Sequence, residues 1–224
     1  MDMIKEPQLL IMLRLQDELN AVINPNWLTA DYPFLRAAFV EAGEALEHHG
    51  WKWWKSQEPD IGQLQIELID ILHFYLSDAL LKSKGDFKLA LVEVMSEIID
   101  SELVFDNISF DFKSLDVLRL LELLAGLAVV RRRSFGVLGE LMDRCGLTWE
   151  SAYIQYISKN VLNIFRQKNG YKEGSYIKIW DGLEDNVWLE KAISSLDSKS
   201  ATFSEDLMSE LTARYQSVIG SKTS

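Results

Sequence analysis

The chain has 224 residues, 48% of them hydrophobic, enough to bury a large core as one domain or as a core with a subdomain. Its formal net charge of −11 excludes the sequence-wide basic footprint of a nucleic-acid binder, and its single cysteine, Cys145, excludes an intrachain disulfide framework. The longest apolar run, Leu118 to Val130, carries Arg119 and Glu122 and ends on Arg131-Arg132-Arg133, too short and too charged for a membrane span. The first residues, Met1-Asp2-Met3-Ile4-Lys5-Glu6, do not read as a signal peptide, so the cytoplasm is the expected location.

Twelve glycines and four prolines over this length predict long helices and few turns. Leu9, Leu10, Met12, Leu13, Leu15 and Leu19 recur at helical spacing and predict a first helix, stopped by Asn24-Pro25-Asn26. A second helix is predicted after Asp31-Tyr32-Pro33 and runs to about His49, with Gly50 placed to end it. Trp51 to Pro59 is a polar-aromatic connector. The third helix begins near Asp60, with Leu64, Leu68, Ile71, Leu72, Tyr75 and Leu76 as its apolar set. Lys82 to Asp86 breaks the pattern. Helices follow over Leu89 to Leu103, Leu115 to Val130, a short Phe135 to Met142, and Trp149 to Gln167. A glycine-bearing cationic segment spans Lys168 to Gly182, and Asn186 to Leu196 and Phe203 to Ile219 close the chain. No strand and no repeat is predicted, and the final Ser-Lys-Thr-Ser is expected to fray.

Four carboxylates carry the chemistry. Glu41 and Glu44 lie three apart on the second helix, Glu67 and Asp70 three apart on the third. Residues at i and i+3 share a helical face, so each pair can aim both acids the same way. A short connector favours an antiparallel hairpin. Glu41 and Asp70 are then equidistant from the turn, as are Glu44 and Glu67, and the two pairs sit level. Four acids at one level need cations to remain ionised. Hard oxygen donors suit Mg²⁺ or Mn²⁺, and Mg²⁺ commonly shares its shell with substrate phosphates. The bland alternative, solvated surface charge, holds for a single Glu-x-x-Glu and weakens for two pairs in matched register. Glu47 and Glu58 read as ordinary surface acids.

Trp51, Trp53 and Trp54 can stack a base or cap the hairpin as a buried cluster. His73 is either a base contact or a satisfied core histidine. Gln16 and Asn20, at i and i+4, carry amides able to read the edges of a base. Downstream, Lys159, Arg166, Lys168, Lys172 and Lys178 form the clearest cationic cluster against an acidic background. Glycines at 170, 174 and 182 predict a mobile segment whose cations lack partners until a polyphosphate binds.

The run Glu41-Ala-Gly-Glu44, then Trp51-Lys-Trp-Trp-Lys55 and Glu67-Leu-Ile-Asp70-Ile-Leu-His73-Phe74, resembles the dimeric dUTPases of the all-α NTP pyrophosphatase superfamily. Leu15-Gln16-Asp17-x-Leu19-Asn20, Lys159-Asn160-x-Leu162-Asn163-x-Phe165-Arg166-Gln167 and Gly170-Tyr171-Lys172-x-Gly174 through Asp185-Asn186 resemble the same family. The resemblance implies an all-α helical bundle, with residues 1–81 and 149–224 as the catalytic core and 82–148 as a variable helical insert. It implies that Glu41, Glu44, Glu67 and Asp70 hold Mg²⁺. It places Gln16, Asn20, Trp54 and His73 around uracil and Asn163 near the sugar. Lys159, Arg166, Tyr171, Lys178 and Asn186 fall around the phosphates. It further implies a homodimer that hydrolyses dUTP and dUDP to dUMP, with water attacking the β-phosphorus of dUTP. A carboxylate not fully used in coordination is expected to orient or deprotonate that water, Glu41 first, with Glu44 beside it. No direct nucleic-acid or membrane partner is expected. Two other readings stand beside it: a related pyrophosphatase with another base preference, and a non-catalytic helical interaction protein.

Overall fold

A computed structural model describes residues 3–198, 200 and 202–222, so positions 223 and 224 of the terminal tetrapeptide lie outside the described residues. The fold is all-α. Among the described residues the helices are α1 (Glu6–Ile23), α2 (Phe34–His49), α3 (Ile61–Lys82), α4 (Phe87–Ile98), α5 (Val117–Val129), α6 (Phe135–Arg144), α7 (Trp149–Lys168), α8 (Asp185–Ser195) and α9 (Phe203–Lys222). Two small antiparallel ribbons interrupt them: β1 (Glu102–Phe105) with β2 (Ile108–Asp111), and β3 (Ile179–Trp180) with β4 (Leu183–Glu184).

The ribbons correct the expectation of a strand-free chain, and the first also corrects the helix expected to reach Leu103. That helix, α4, stops at Ile98. Asp106 and Asn107 both adopt left-handed backbone, φ 52° and 62°. Short polar side chains tolerate this, and two such residues turn a chain into a hairpin whose twist matches its strands. Leu103, Val104 and Phe105 are therefore read as strand, paired with Phe110, Ser109 and Ile108. Gly136, in the first turn of α6, is required for close approach: a Cβ there would lie 2.5 Å from the Asp100 carbonyl oxygen.

The chain forms two compact units. The first comprises residues up to Asp17 together with Asn26–Tyr153; the second comprises Glu18–Pro25 and the chain from Ile154 onward. In the first unit α3 is the central helix. Its residues Leu64, Leu68, Ile71, Leu72, Tyr75, Leu76, Ala79 and Leu80 are fully buried. The alanines Ala38, Ala42 and Ala45 line the buried side of α2, and small residues there let the α2 and α3 backbones approach. Gly50 ends α2 at φ 84°, and the Asp60 amide donates to the His48 carbonyl at 2.8 Å, closing the α2–α3 hairpin. The Asp60 side chain caps α3 by accepting from the Gln63 amide at 3.1 Å.

A buried ion network also ties this unit together. Arg133, with its side chain 2% exposed, bonds Asp78 of α3 and Glu93 and Glu97 of α4, the last at 3.0 Å. Burial raises the Glu97 carboxyl, although the Arg133 charge opposes that shift. In the second unit Phe165, Tyr176, Trp180 and Tyr215 form an aromatic core, with ring centroids 5.3–5.7 Å apart between Tyr215 and each of Phe165, Tyr176 and Trp180 and between Phe165 and Trp180. No helix among the described residues is long and apolar enough to cross a membrane.

Candidate active site

The hairpin register places three of the four predicted acids together. Ligand oxygens of Glu41, Glu67 and Asp70 all lie within 4.8 Å of one another. Pairing Glu41 of α2 with both Glu67 and Asp70 of α3, while His48 meets Asp60 at the turn, is what antiparallel helices of this length produce. Glu44 is exposed and lies outside that group of three, yet its charge is close enough to act on Glu41. Glu67 is buried, 7% exposed, and Glu41 and Asp70 are half-buried.

Clustering like charges has an electrostatic consequence. The Glu41 carboxyl is pushed up from 4.5 to about 7, first by burial and then by the negative charges of Asp70, Glu67 and Glu44. Near neutral pH Glu41 is thus only partly ionised in the cluster alone, and a divalent cation would supply the compensation that a proton otherwise gives. Oxygen-only donors converging from two rigid helices fit a hard cation such as Mg²⁺. His48, on the last turn of α2, stands beside them with Nε2 3.4 Å from Glu67 Oε1. The sequence reading passed over it, although a histidine one turn past Glu44 on the same helix was a visible signal.

Gln16 and His73 prove to be partners. His73 Nδ1 and Gln16 Oε1 lie 2.8 Å apart, and both residues are buried. With Oε1 as acceptor, the proton sits on Nδ1. His73 is packed within the core and fixed in one orientation on the face of α3 that carries Asp70. Asn20, one turn further along α1, is also buried.

The tryptophans are not a buried cap. Trp51, Trp53 and Trp54 are 40%, 87% and 59% exposed. They stack edge to face on one another, with Trp54 centroids 5.3 Å from Trp51 and 4.5 Å from Trp53. Trp51 Nε1 donates to Glu47 Oε2 at 2.6 Å, and Lys52 pairs with the same carboxylate. This holds Glu47 below its ordinary range, through the Lys52 hydrogen bond first and then Trp51. Glu47 therefore anchors the connector, while the Trp53 and Trp54 rings remain open to a ligand.

In the second unit the cations do not await partners, contrary to the sequence expectation. Arg166 makes a two-pronged ion pair with Asp185, Nε to Oδ2 and Nη2 to Oδ1, both 2.8 Å. It also donates to Asn163 and Asn186 at 3.3 Å. Asp185 is wholly buried and accepts from Tyr176 Oη at 2.8 Å. Burial alone would raise its carboxyl, but the hydrogen bonds and charge of Arg166 pull it below the ordinary value. Lys178 pairs with Glu184 at 3.2 Å, and Lys172 donates to the Ile23 carbonyl at 3.0 Å. An acid-rich chain supplies acceptors for its own cations. Asp185 reads from sequence as part of a helix start, and its role as the anchor of Arg166, which in turn bonds Asn163 and Asn186, needs the fold. Lys159 is half-buried, and Tyr171 is 51% exposed.

A family model described as dUTPase matches residues 8–171. Comparison with curated proteins gives no match. The matched stretch includes both acid pairs, the tryptophan connector, and the α7 residues Lys159, Asn163 and Arg166.

Proposed function

The chain belongs to the dUTPase family and is a dUTP diphosphatase, and from that premise we propose how its residues perform the reaction. The observation that carries the proposal is the convergence of Glu41, Glu67 and Asp70 oxygens within 4.8 Å on two consecutive helices. We assign these three, with Glu44 on the exposed side, to a Mg²⁺ site that Mn²⁺ also fits. The ion, when bound, offsets the charge of the acids and of the substrate phosphates and makes water more acidic.

The chain's own groups supply the rest. Glu41, the carboxylate least committed to coordination, accepts the proton of the attacking water. Water attacks the β-phosphorus, the bond to the α-phosphate oxygen breaks, and dUMP and pyrophosphate leave. Trp54 offers an exposed face for stacking uracil. Gln16, Asn20 and His73 supply polar base contacts, with the Gln16–His73 bond fixing the imidazole tautomer. Asn163 serves the sugar, and Lys159, Arg166, Tyr171, Lys178 and Asn186 the phosphates. The chain acts as a homodimer in the cytoplasm, also takes dUDP, and lowers dUTP so that uracil stays out of DNA.

A nucleotide panel tests this. Each dNTP, UTP and dUDP is incubated with the protein and Mg²⁺, and product nucleotide is measured. We expect dUMP from dUTP and dUDP, little turnover of dTTP or UTP, and none in excess EDTA. Full turnover in EDTA would overturn the metal assignment.

A further inference from the structure

The segment between Gly170 and Asp185 has the composition of a loose loop, yet α9 pins it. The Ile177 amide donates to Tyr215 Oη at 3.1 Å. The Ile177 carbonyl accepts from Trp180 Nε1 at 2.7 Å, and the Lys178 carbonyl accepts from the Asp185 amide at 3.0 Å. The backbone on both sides of Lys178 is therefore held. The Tyr215 ring stacks on Tyr176 at 5.3 Å and an interplanar angle of 25°, and the Tyr176 hydroxyl reaches Asp185. Arg214, the preceding residue of α9, pairs with Asp181 and lies 3.7 Å over the Trp188 ring. All of α9 lies beyond residue 171, where the family match ends.

Tyr215 is 3% exposed, and a phenylalanine would fill the same space. What the hydroxyl adds is a grip on the backbone one residue before Lys178. We propose that Tyr215 is a positioning residue for dUTP hydrolysis: it fixes the backbone at Lys178, so that only the lysine side chain has to be ordered when the ammonium group meets the triphosphate. Holding a contact group in place before ligand arrives strengthens binding without adding a contact. The inference rests on the reading of Lys178 as a phosphate contact.

The test is steady-state kinetics on dUTP for the full chain, the single variants Tyr215→Phe and Lys178→Ala, and the double variant. Loss of one neutral hydrogen bond predicts that Tyr215→Phe raises KM about three- to tenfold. Its kcat should stay within about twofold, as expected for a group that acts on binding. Lys178→Ala should raise KM by at least as much, and the double variant should match Lys178→Ala alone, because the tyrosine acts through the lysine. A Tyr215→Phe enzyme with wild-type KM, even with a lowered melting temperature, would make the tyrosine structural only and overturn the proposal while sparing the role of Lys178. Additive effects in the double variant would overturn it as well. An unchanged KM in Lys178→Ala would remove the phosphate reading and the proposal together.

Discussion

Replacing Glu41 with Gln should stabilise the metal-free protein at alkaline pH while abolishing turnover. Glutamine keeps the shape and can still bond Glu67, but it removes one of the repelling charges. In the folded chain the Glu41 carboxyl titrates near 7 instead of 4.5, because it is buried and faces Asp70, Glu67 and Glu44. Between those pH values the folded chain holds a proton that the unfolded chain has lost. Stability therefore falls as pH rises through the window, and the penalty is fully present above about pH 7. A gap of that size corresponds to about 3 kcal/mol at full strength. Partial exposure and solvent screening bring it to on the order of 1–2 kcal/mol. For a chain of this length that is roughly 2–8 °C in melting temperature. The assay is thermal melting in EDTA at pH 5 and pH 8. The variant should melt above wild type at pH 8, and the gap should narrow at pH 5. Added Mg²⁺ should raise the melting temperature of the wild type and leave the variant nearly unmoved. A variant with no gain at pH 8, or with the same gain at both pH values, would refute the electrostatic account of the cluster.

Glu44→Gln or Asp70→Asn should lower kcat by at least about a hundredfold, the scale of losses for groups that stabilise a transition state; a near wild-type rate would show that the register selects the wrong acids. Trp54→Ala should raise KM for dUTP by roughly five- to a hundredfold, the worth of one stacked base. Its melting temperature should hardly change because the ring is 59% exposed; an unchanged KM would remove Trp54 from the base site. Arg133→Met should cost roughly 3–5 kcal/mol, because it leaves Asp78, Glu93 and Glu97 without their shared cation. Chemical denaturation measures that loss, and acidification should recover part of it as the carboxyls take up protons; a loss under 1 kcal/mol would contradict the buried network.

The helices were legible because their signals are local. Asp60 caps α3, Gly50 stops α2, and the apolar positions of α3 repeat at helical spacing, so the observed ends of these two helices fall within a residue or two of those expected. The acid cluster was legible for the same reason: two i, i+3 pairs flank one short connector, and the hairpin converts spacing into proximity. The 102–111 hairpin was missed because Leu103 and Phe105 look like a continuation of α4. The turn that diverts them is Asp106-Asn107, without the glycine that usually marks it. Partners distant in sequence were not legible at all. Nothing near Arg166 announces Asp185, nineteen residues on, and nothing near Gln16 announces His73, fifty-seven residues away. Such pairs are decided by packing, which also explains why Arg166, Lys172 and Lys178, which read as unpaired, have partners.

Mn²⁺ binding followed by electron paramagnetic resonance tests the central assignment without relying on turnover. Wild type, Asp70→Asn, Glu67→Gln and the surface control Glu58→Gln are titrated at pH 7.5 without nucleotide. Glu67 and Asp70 belong to the converging group, whereas Glu58 is an exposed connector residue. Wild type and Glu58→Gln should bind Mn²⁺ equally, and the two cluster variants should lose at least about tenfold in affinity, the lower end of losses seen when the groups around a metal are altered. Cluster variants that bind Mn²⁺ as tightly as wild type would contradict the assignment of Glu41, Glu67 and Asp70 as the metal site.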